Sequence, residues 1–233
     1  SVACLLATGC SSSSSKRTRD ALGGQPTHRK SLCLDRMSII RGGIDELSHL
    51  MSNPFGVEIR PYTLDDASAV WEAARESWSE LRPWMPWCHE HYAIEESRAW
   101  LEGQVAAFRD GSAFEFAIVA ADGRYLGGCG LNQVDKINKR ANLGYWVRSS
   151  ATRRGVATTA VGLLREWAFR HTDLVRLEVV IAVENVASQR VARKARAEFE
   201  GTLRRRLQLD GIAHDATMFS FTRAELSQGE GAV

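Results

Sequence analysis

The chain has 233 residues, enough for one ordinary domain with an appendage. Charged residues make up 25% and hydrophobic ones 44%, and the formal net charge of +2 gives no global reason to expect a nucleic-acid or membrane partner. Cys4, Cys10, Cys33, Cys88 and Cys129 form no CxxC pair and no ligand spacing with histidine, so no metal site or disulfide framework is expected, and no apolar run approaches the ~20 residues that span a bilayer.

Residues 1–56 differ in composition from the rest of the chain. SSSSSKRTRD and GGQPTHRK show no period and no sustained apolar face, so this stretch is expected to be a disordered extension. Ala7-Thr8-Gly9-Cys10 before five serines resembles the end of a lipoprotein signal with Cys10 as the modified residue, but it lacks a basic leader and has a short apolar run. The favoured reading is upstream sequence ahead of a start at Met51. A short helix is expected over Ser38–Met51.

The domain is expected over 57–226, with a tail at 227–233. Val57–Pro61 alternates as an edge strand does. Thr63-Leu-Asp-Asp66 is a capping box that opens a helix through about Ser77. In LRPWMPW, Pro83 and Pro86 exclude regular helix. Trp78, Trp84 and Trp87 are unusually dense there, suiting either a plug over the core or the wall of a substrate groove. Ile94–Arg109 is a second amphipathic helix with Trp100, Leu101, Val105 and Phe108 as its stripe. Ala113–Ala121 and Tyr125–Val134 form a hairpin around Asp122-Gly123, and Gly127, Gly128 and Gly130 predict a bulge or close backbone approach. Ala141–Val147 is the third strand in series.

The next stretch, RSSATRRGVATTAVGLLREW, leads from that strand through a polar turn into a long helix. A strand–turn–helix corner presents free amides at the positive end of a helix dipole, which suits an anion. Arg153 and Arg154 add guanidinium forks, Gly155 lets a ligand approach the backbone, and Ala157, Thr158 and Thr159 keep the first turn small. From these residues alone the corner is either a diphosphate cradle or an ordinary helix start with two solvated arginines. Val175–Val183 then reads as a strand buried on both faces, parallel to Ala141–Val147 through a right-handed crossover. A helix follows within Asn185–Ala197, and Phe199–Leu209 with Ala213–Phe221 make a last hairpin around Asp210-Gly211.

The order of elements, together with LRPWMPW, YLGGCGL, LGYWV, RRGVAT, ENVASQRVARKA and GIAHDATMFSF, resembles the GNAT N-acetyltransferase superfamily, and within it the Rim-type branch that acetylates protein N-terminal amines. The resemblance implies an α+β fold: a mixed, mostly antiparallel sheet flanked by helices, with a splayed parallel strand pair. It implies acetyl-CoA as co-substrate, its diphosphate on the amides of Arg153–Thr158. The pantetheine arm would lie between the Tyr145–Arg148 and Val180–Val183 strand ends, with a backbone N–H near Val147 polarising the thioester carbonyl. Transfer would be direct, to a peptide N-terminus or, alternatively, to a small-molecule amine; a CoA-binding module without turnover is the other alternative. A cytoplasmic monomer or homodimer is expected, with no membrane and no nucleic-acid partner.

Asn185 and Ser188 match the family's Asn-x-x-Ser pattern, where Asn touches the CoA arm and Ser reaches the sulfur; the competing reading of Asn185 is a helix N-cap. Lys194 is either a phosphate contact or solvated. Glu115 and Glu178 are the candidate bases, and Tyr145 either donates to the thiolate or is core. Trp84, Trp87 and His214 are the candidate substrate contacts, with His214-Asp215 also readable as a structural pair. Alternation along a strand would split Arg204, Arg205 and Arg206 between two faces. Three positions depart from the pattern: Thr152 in the cradle, Asn142 where Glu is frequent, and Arg196 where a left-handed Gly usually closes the helix.

Overall fold

The computed structural model describes Ala3–Cys4 and residues 56–223. The expected Ser38–Met51 helix, Cys10 and the 227–233 tail lie outside the described residues. The domain runs β1 (Glu58–Pro61), a 3-10 turn, α1 (Ala67–Leu81), α2 (Ile94–Asp110), β2 (Phe114–Val119), β3 (Tyr125–Asp135), β4 (Arg140–Val147), α3 (Val156–His171), β5 (Arg176–Ala182), α4 (Val186–Lys194), β6 (Glu198–Leu209) and β7 (Ile212–Thr222). The strands form one mixed sheet in the order β1-β2-β3-β4-β5-β7-β6. Only the β4–β5 pair is parallel among these neighbours.

Local chemistry explains the boundaries. Asp66 caps the first helical segment: its carboxylate accepts from the Thr63 amide at 2.8 Å and the Thr63 hydroxyl at 3.1 Å, and it pairs with Arg60. Helix α1 runs four residues past the expected Ser77, because Ser77 and Leu81 continue the buried stripe of Val70, Ala73 and Ala74. Asp210 (φ 49°) and Gly211 (φ 77°) both take positive φ, the requirement of a two-residue type I′ hairpin. The β3 glycines do what their clustering suggested. A Cβ on Gly127 would stand 2.2 Å from the Trp146 carbonyl oxygen, and the register shifts between Ile118 and Val119.

The sheet carries a different core on each face. Against α3, Trp167 gathers Phe116, Phe114 and Phe108 at ring separations of 4.7, 5.2 and 5.9 Å. Burying such rings contributes about 1.5–3 kcal/mol each. Against α1 and α2 lie Tyr62, Val70, Leu81, Met85, Leu101, Tyr125 and Trp146. Here the Tyr62 and Tyr125 hydroxyls bond each other at 2.6 Å, so neither buried phenol is left unpaired.

Two sequence expectations fail in the last hairpin. Leu203 pairs with Ala216 and Leu207 with His214, so three arginines bulge out opposite Asp215 alone, and strict alternation does not sort them. Arg205, at φ 50°, donates its amide to the Asp215 carboxylate at 2.8 Å. His214 and Asp215 are consequently not partners: His214 Nδ1 lies 3.6 Å from Glu184 Oε2.

Candidate active site

The parallel pair opens immediately after it forms. Arg140, Ala141 and Asn142 register with Arg176, Leu177 and Glu178, and the ladder between the two strands is these three pairs. The Arg148 amide donates to Leu126 on the β3 side at 2.8 Å. Peptide groups alternate along a strand, so those of Tyr145 and Val147 face the opened edge. The Val147 N–H therefore points into the slot between the two strands. In the slot, the backbone of Ala3–Cys4 pairs antiparallel with Trp146 and Tyr145.

The cradle follows at the end of β4. Gly155 (φ 83°) is the N-cap of α3, and Arg153 (φ 62°) is also left-handed. The first intrahelical bond is the Thr159 amide to the Gly155 carbonyl at 3.0 Å. The amides of Val156, Ala157 and Thr158 precede it and have no intrahelical acceptor. Arg153, Arg154 and Gly155 are exposed, and a Cβ on Gly155 would meet no atom within 4 Å. The corner thus has open space, orphan amides, a helix dipole and two cations, which fits a diphosphate.

Helix α1 holds the near side of this corner, a role the sequence did not reveal. The Glu76 carboxylate accepts from Arg148 and from the Ser150 amide (2.7 Å), and the Ser77 hydroxyl accepts the Ser149 amide (2.9 Å). Burial raises the Glu76 pKa, but Arg148 and Ser150 outweigh that and hold it below the ordinary carboxylate value. Arg148 is therefore engaged by Glu76 and by the Tyr125 carbonyl. Thr152, at the first departure from the family pattern, bonds its hydroxyl to the Ser149 carbonyl at 2.9 Å.

On the far side of the slot, Asn185 caps α4 by accepting the Ser188 amide at 3.1 Å. Both residues are buried. The Tyr145 hydroxyl donates to the Ser188 carbonyl at 3.0 Å, which ties β4 to α4 across the opening. Tyr145 thus stands in the α3-side core, with its proton engaged by α4. Lys194 is exposed in the last turn of α4.

The two candidate bases differ sharply. Glu178 is ion-paired to Arg140 at 3.1 Å and Arg176 at 3.0 Å, so it is a structural anion between strands rather than a free base. Glu115 is 5% exposed and faces α1 and α2 with Ala117 and Val119. Its carboxyl lies over Gly130, where a Cβ would come within 1.9 Å of Oε2. Gly130 registers with Gly144, so glycines lead from Glu115 to the point where β4 leaves β5. Burial pushes the Glu115 pKa up to about 8, against a smaller opposing effect of Asn132. Among the described residues it is the only carboxyl with a buried oxygen lacking a hydrogen-bond partner.

The aromatic candidates line the same face. Trp87 stacks edge-on against Trp146 at 5.8 Å, and Trp84 packs against both this cluster and the one formed by Val180, Ala182, Ala216 and Met218. His214 lies two residues from Ala216 on β7 and is half-buried. Trp84 and Trp87 thus cover the core as a plug does.

A mixed sheet with a splayed parallel pair, an amide cradle after the splayed strand and a capped Asn-x-x-Ser helix opposite define an acyl-CoA-handling fold. The profile described as "Acetyltransferase (GNAT) domain" matches residues 57–198. The chain belongs to the GNAT acetyltransferase family. Among named relatives, YdaF of Bacillus subtilis (strain 168) is 31% identical over 104 residues, 45% of this chain and 57% of YdaF. The match therefore spans a little over half the length of that relative. The ribosomal-protein-serine acetyltransferase of Escherichia coli (strain K12) is 26% identical over 126 residues, 54% of this chain and 70% of that protein. Among solved structures, Mycobacterium smegmatis RimJ in complex with CoA-disulfide superposes with a TM-score of 0.68 at 30% identity, covering 73% of this chain and 83% of RimJ. RimL, a ribosomal L7/L12 α-N-protein acetyltransferase solved with coenzyme A, shares the fold at a TM-score of 0.68 and 24% identity, covering 74% and 96%. No helix of the described residues is long and apolar enough to cross a membrane.

Proposed function

We propose that this protein is an acetyl-CoA-dependent N-acetyltransferase whose acceptor is the α-amine of a protein N-terminus. The observation that carries the reading is the juxtaposition of two features. A slot with the Val147 N–H facing into it leads to an amide cradle, and a buried carboxyl with an orphan oxygen sits one glycine row away. The cradle takes the diphosphate through Val156, Ala157 and Thr158, assisted by Arg153 and Arg154. The pantetheine arm pairs with the open edge of β4, and Val147 N–H polarises the thioester carbonyl.

The acceptor amine attacks the thioester carbon directly. One C–N bond forms, the C–S bond breaks, the amine proton passes to Glu115, and the departing thiolate takes a proton from solvent, to which Glu115 returns its own. A free α-amine has a pKa of roughly 7.7–8.0, close to the Glu115 value of about 8, so proton transfer between them is nearly balanced. Lysine ε-amines, with a pKa near 10.4, would be almost wholly protonated under the same conditions. Relatives named for ribosomal-protein acetylation support the α-amine assignment.

The test is an acetyl-CoA assay of the purified chain against short peptides with free N-termini and a panel of small amines, reading thiol release. Release with peptides supports the reading, and release only with small amines makes the acceptor a metabolite or drug. Acetyl-CoA binding without release from any amine would make the chain a binding module.

A further inference from the structure

We infer that Asn132 positions the Glu115 carboxyl for proton transfer, and that Asn142 in turn holds Asn132 in the orientation this requires. The inference rests on the reading of Glu115 as the base. Asn132 and Asn142 stand directly opposite each other on β3 and β4, on the same face as Gly130. Both are buried, at 5% and 7% exposure. The Asn142 side-chain amide donates to Asn132 Oδ1 at 3.0 Å. That bond fixes which end of the Asn132 amide faces β4, and it turns Nδ2 away, toward β2 and Glu115.

Asn132 Nδ2 and Glu115 Oε2 are both buried and both without a hydrogen-bond partner among the described residues. One is a donor and the other, once ionised, an acceptor. Buried polar atoms left without a bond are rare because desolvating them is costly, and a complementary pair of them is characteristic of a site that completes its bonding during the reaction. Gly130 is what permits the arrangement, since any side chain there would occupy the carboxyl's space. When the amine's proton reaches Glu115, or leaves it, the Asn132 N–H stabilises the ionised form and so tunes the carboxyl toward the amine's own pKa.

Among the described residues no fixed charge competes for this role. The titratable groups that feel the Glu115 charge are Tyr62, preceding α1, and Cys129 on β3, and burial raises both so that they stay neutral at ordinary pH. Gly144 and Trp146 on β4 carry no charge, and Glu178 on β5 is neutralised by its two arginines. Asn142 thereby acquires a role, because an ionised acid there would lack the N–H that holds Asn132.

The experiment is the pH dependence of kcat/KM for Asn132→Leu and Asn142→Ala beside wild type and Glu115→Gln, with melting curves and acetyl-CoA KM for each. Expected is an acidic limb displaced upward by about one pH unit in Asn132→Leu, a tenfold loss at pH 7 recovered on raising the pH. Asn142→Ala should shift the same way by less, and neither should change the acetyl-CoA KM. A uniform loss at every pH with the limb in place would overturn the inference, and if Asn132→Leu fails to fold, Asn142→Ala carries the same test. Should Glu115→Gln keep both activity and limb, the base assignment itself falls. A lost limb in Glu115→Gln with unmoved limbs in the Asn variants overturns only the positioning role.

Discussion

The carboxyl of Glu115 lies over Gly130, so close that a single methyl group on that glycine would clash with it, 1.9 Å from Oε2. Gly130→Ala should therefore displace the carboxyl while leaving β3 paired. Overpacking of this kind costs about 1–3 kcal/mol. Expected is a melting temperature lowered by several degrees with kcat/KM down by about 10²-fold, since general-base catalysis contributes roughly 10²–10⁴. Kinetics and thermal melts on one preparation check both.

Glu115→Gln should separate stability from activity. The wild-type carboxyl has a folded pKa of about 8 against an ordinary 4.5. A raised pKa means that the protonated form favours folding below about pH 4, and this contribution is lost as pH rises through 8. Glutamine does not titrate. The melting temperature of the variant relative to wild type should thus climb between pH 5 and 9, while its activity stays low throughout. Parallel melts across that range decide it, and a constant difference would show that Glu115 is already ionised in the folded protein.

Gly155 combines a positive φ with open space in front of the cradle. Gly155→Ala should bear only the left-handed strain, about 1–2 kcal/mol, and keep acetyl-CoA affinity within several-fold. Gly155→Glu places a carboxylate among the amides meant for the diphosphate and should abolish binding with the fold retained. Calorimetric titration with far-UV circular dichroism reads both, and full affinity in the Glu variant would remove the cradle assignment.

The slot is contested. Ala3–Cys4 pairs with Tyr145 and Trp146 on the edge assigned to pantetheine, and the Tyr145 peptide faces that edge. Under the proposed placement of pantetheine, acetyl-CoA displaces this pairing. Cys4→Pro removes the backbone donor opposite Tyr145, a bond worth about 0.5–1.5 kcal/mol. Acetyl-CoA should then bind up to about tenfold more tightly in the intact chain. Unchanged affinity would mean the pairing is not retained in solution.

Arg196, at φ 64°, closes α4 in the left-handed conformation that its position in the sequence suggested. Arg196→Gly should relieve about 1 kcal/mol and raise the melting temperature by a few degrees without touching the acetyl-CoA KM.

Most strand and helix limits were legible because turn chemistry is local. Asp122-Gly123, Asp210-Gly211 and the Asn185 cap each announce themselves within four residues. The apolar run of β5 correctly signalled burial on both faces and a parallel partner. What escaped the sequence depends on contacts between distant segments. Nothing near Glu178 marks it as spoken for, because one of its arginines comes from β4, 38 residues away. The Glu76–Arg148 clamp spans 72 residues and Tyr145–Ser188 spans 43. The arginine bulge in β6 defeated simple alternation, since two extra residues in one strand leave no trace in the period. Asn142 reads as a lost acid in the sequence, and only the fold brings its amide to Asn132.

The most direct test of the account is to locate the acetyl group. A peptide carrying both a free α-amine and an internal lysine is incubated with acetyl-CoA and the intact chain at pH 8, and the product is sequenced by mass spectrometry. The expected result is a single acetyl group on the α-nitrogen, absent from the Glu115→Gln reaction. Acetylation of the lysine alone, or an equal yield with Glu115→Gln, would contradict it.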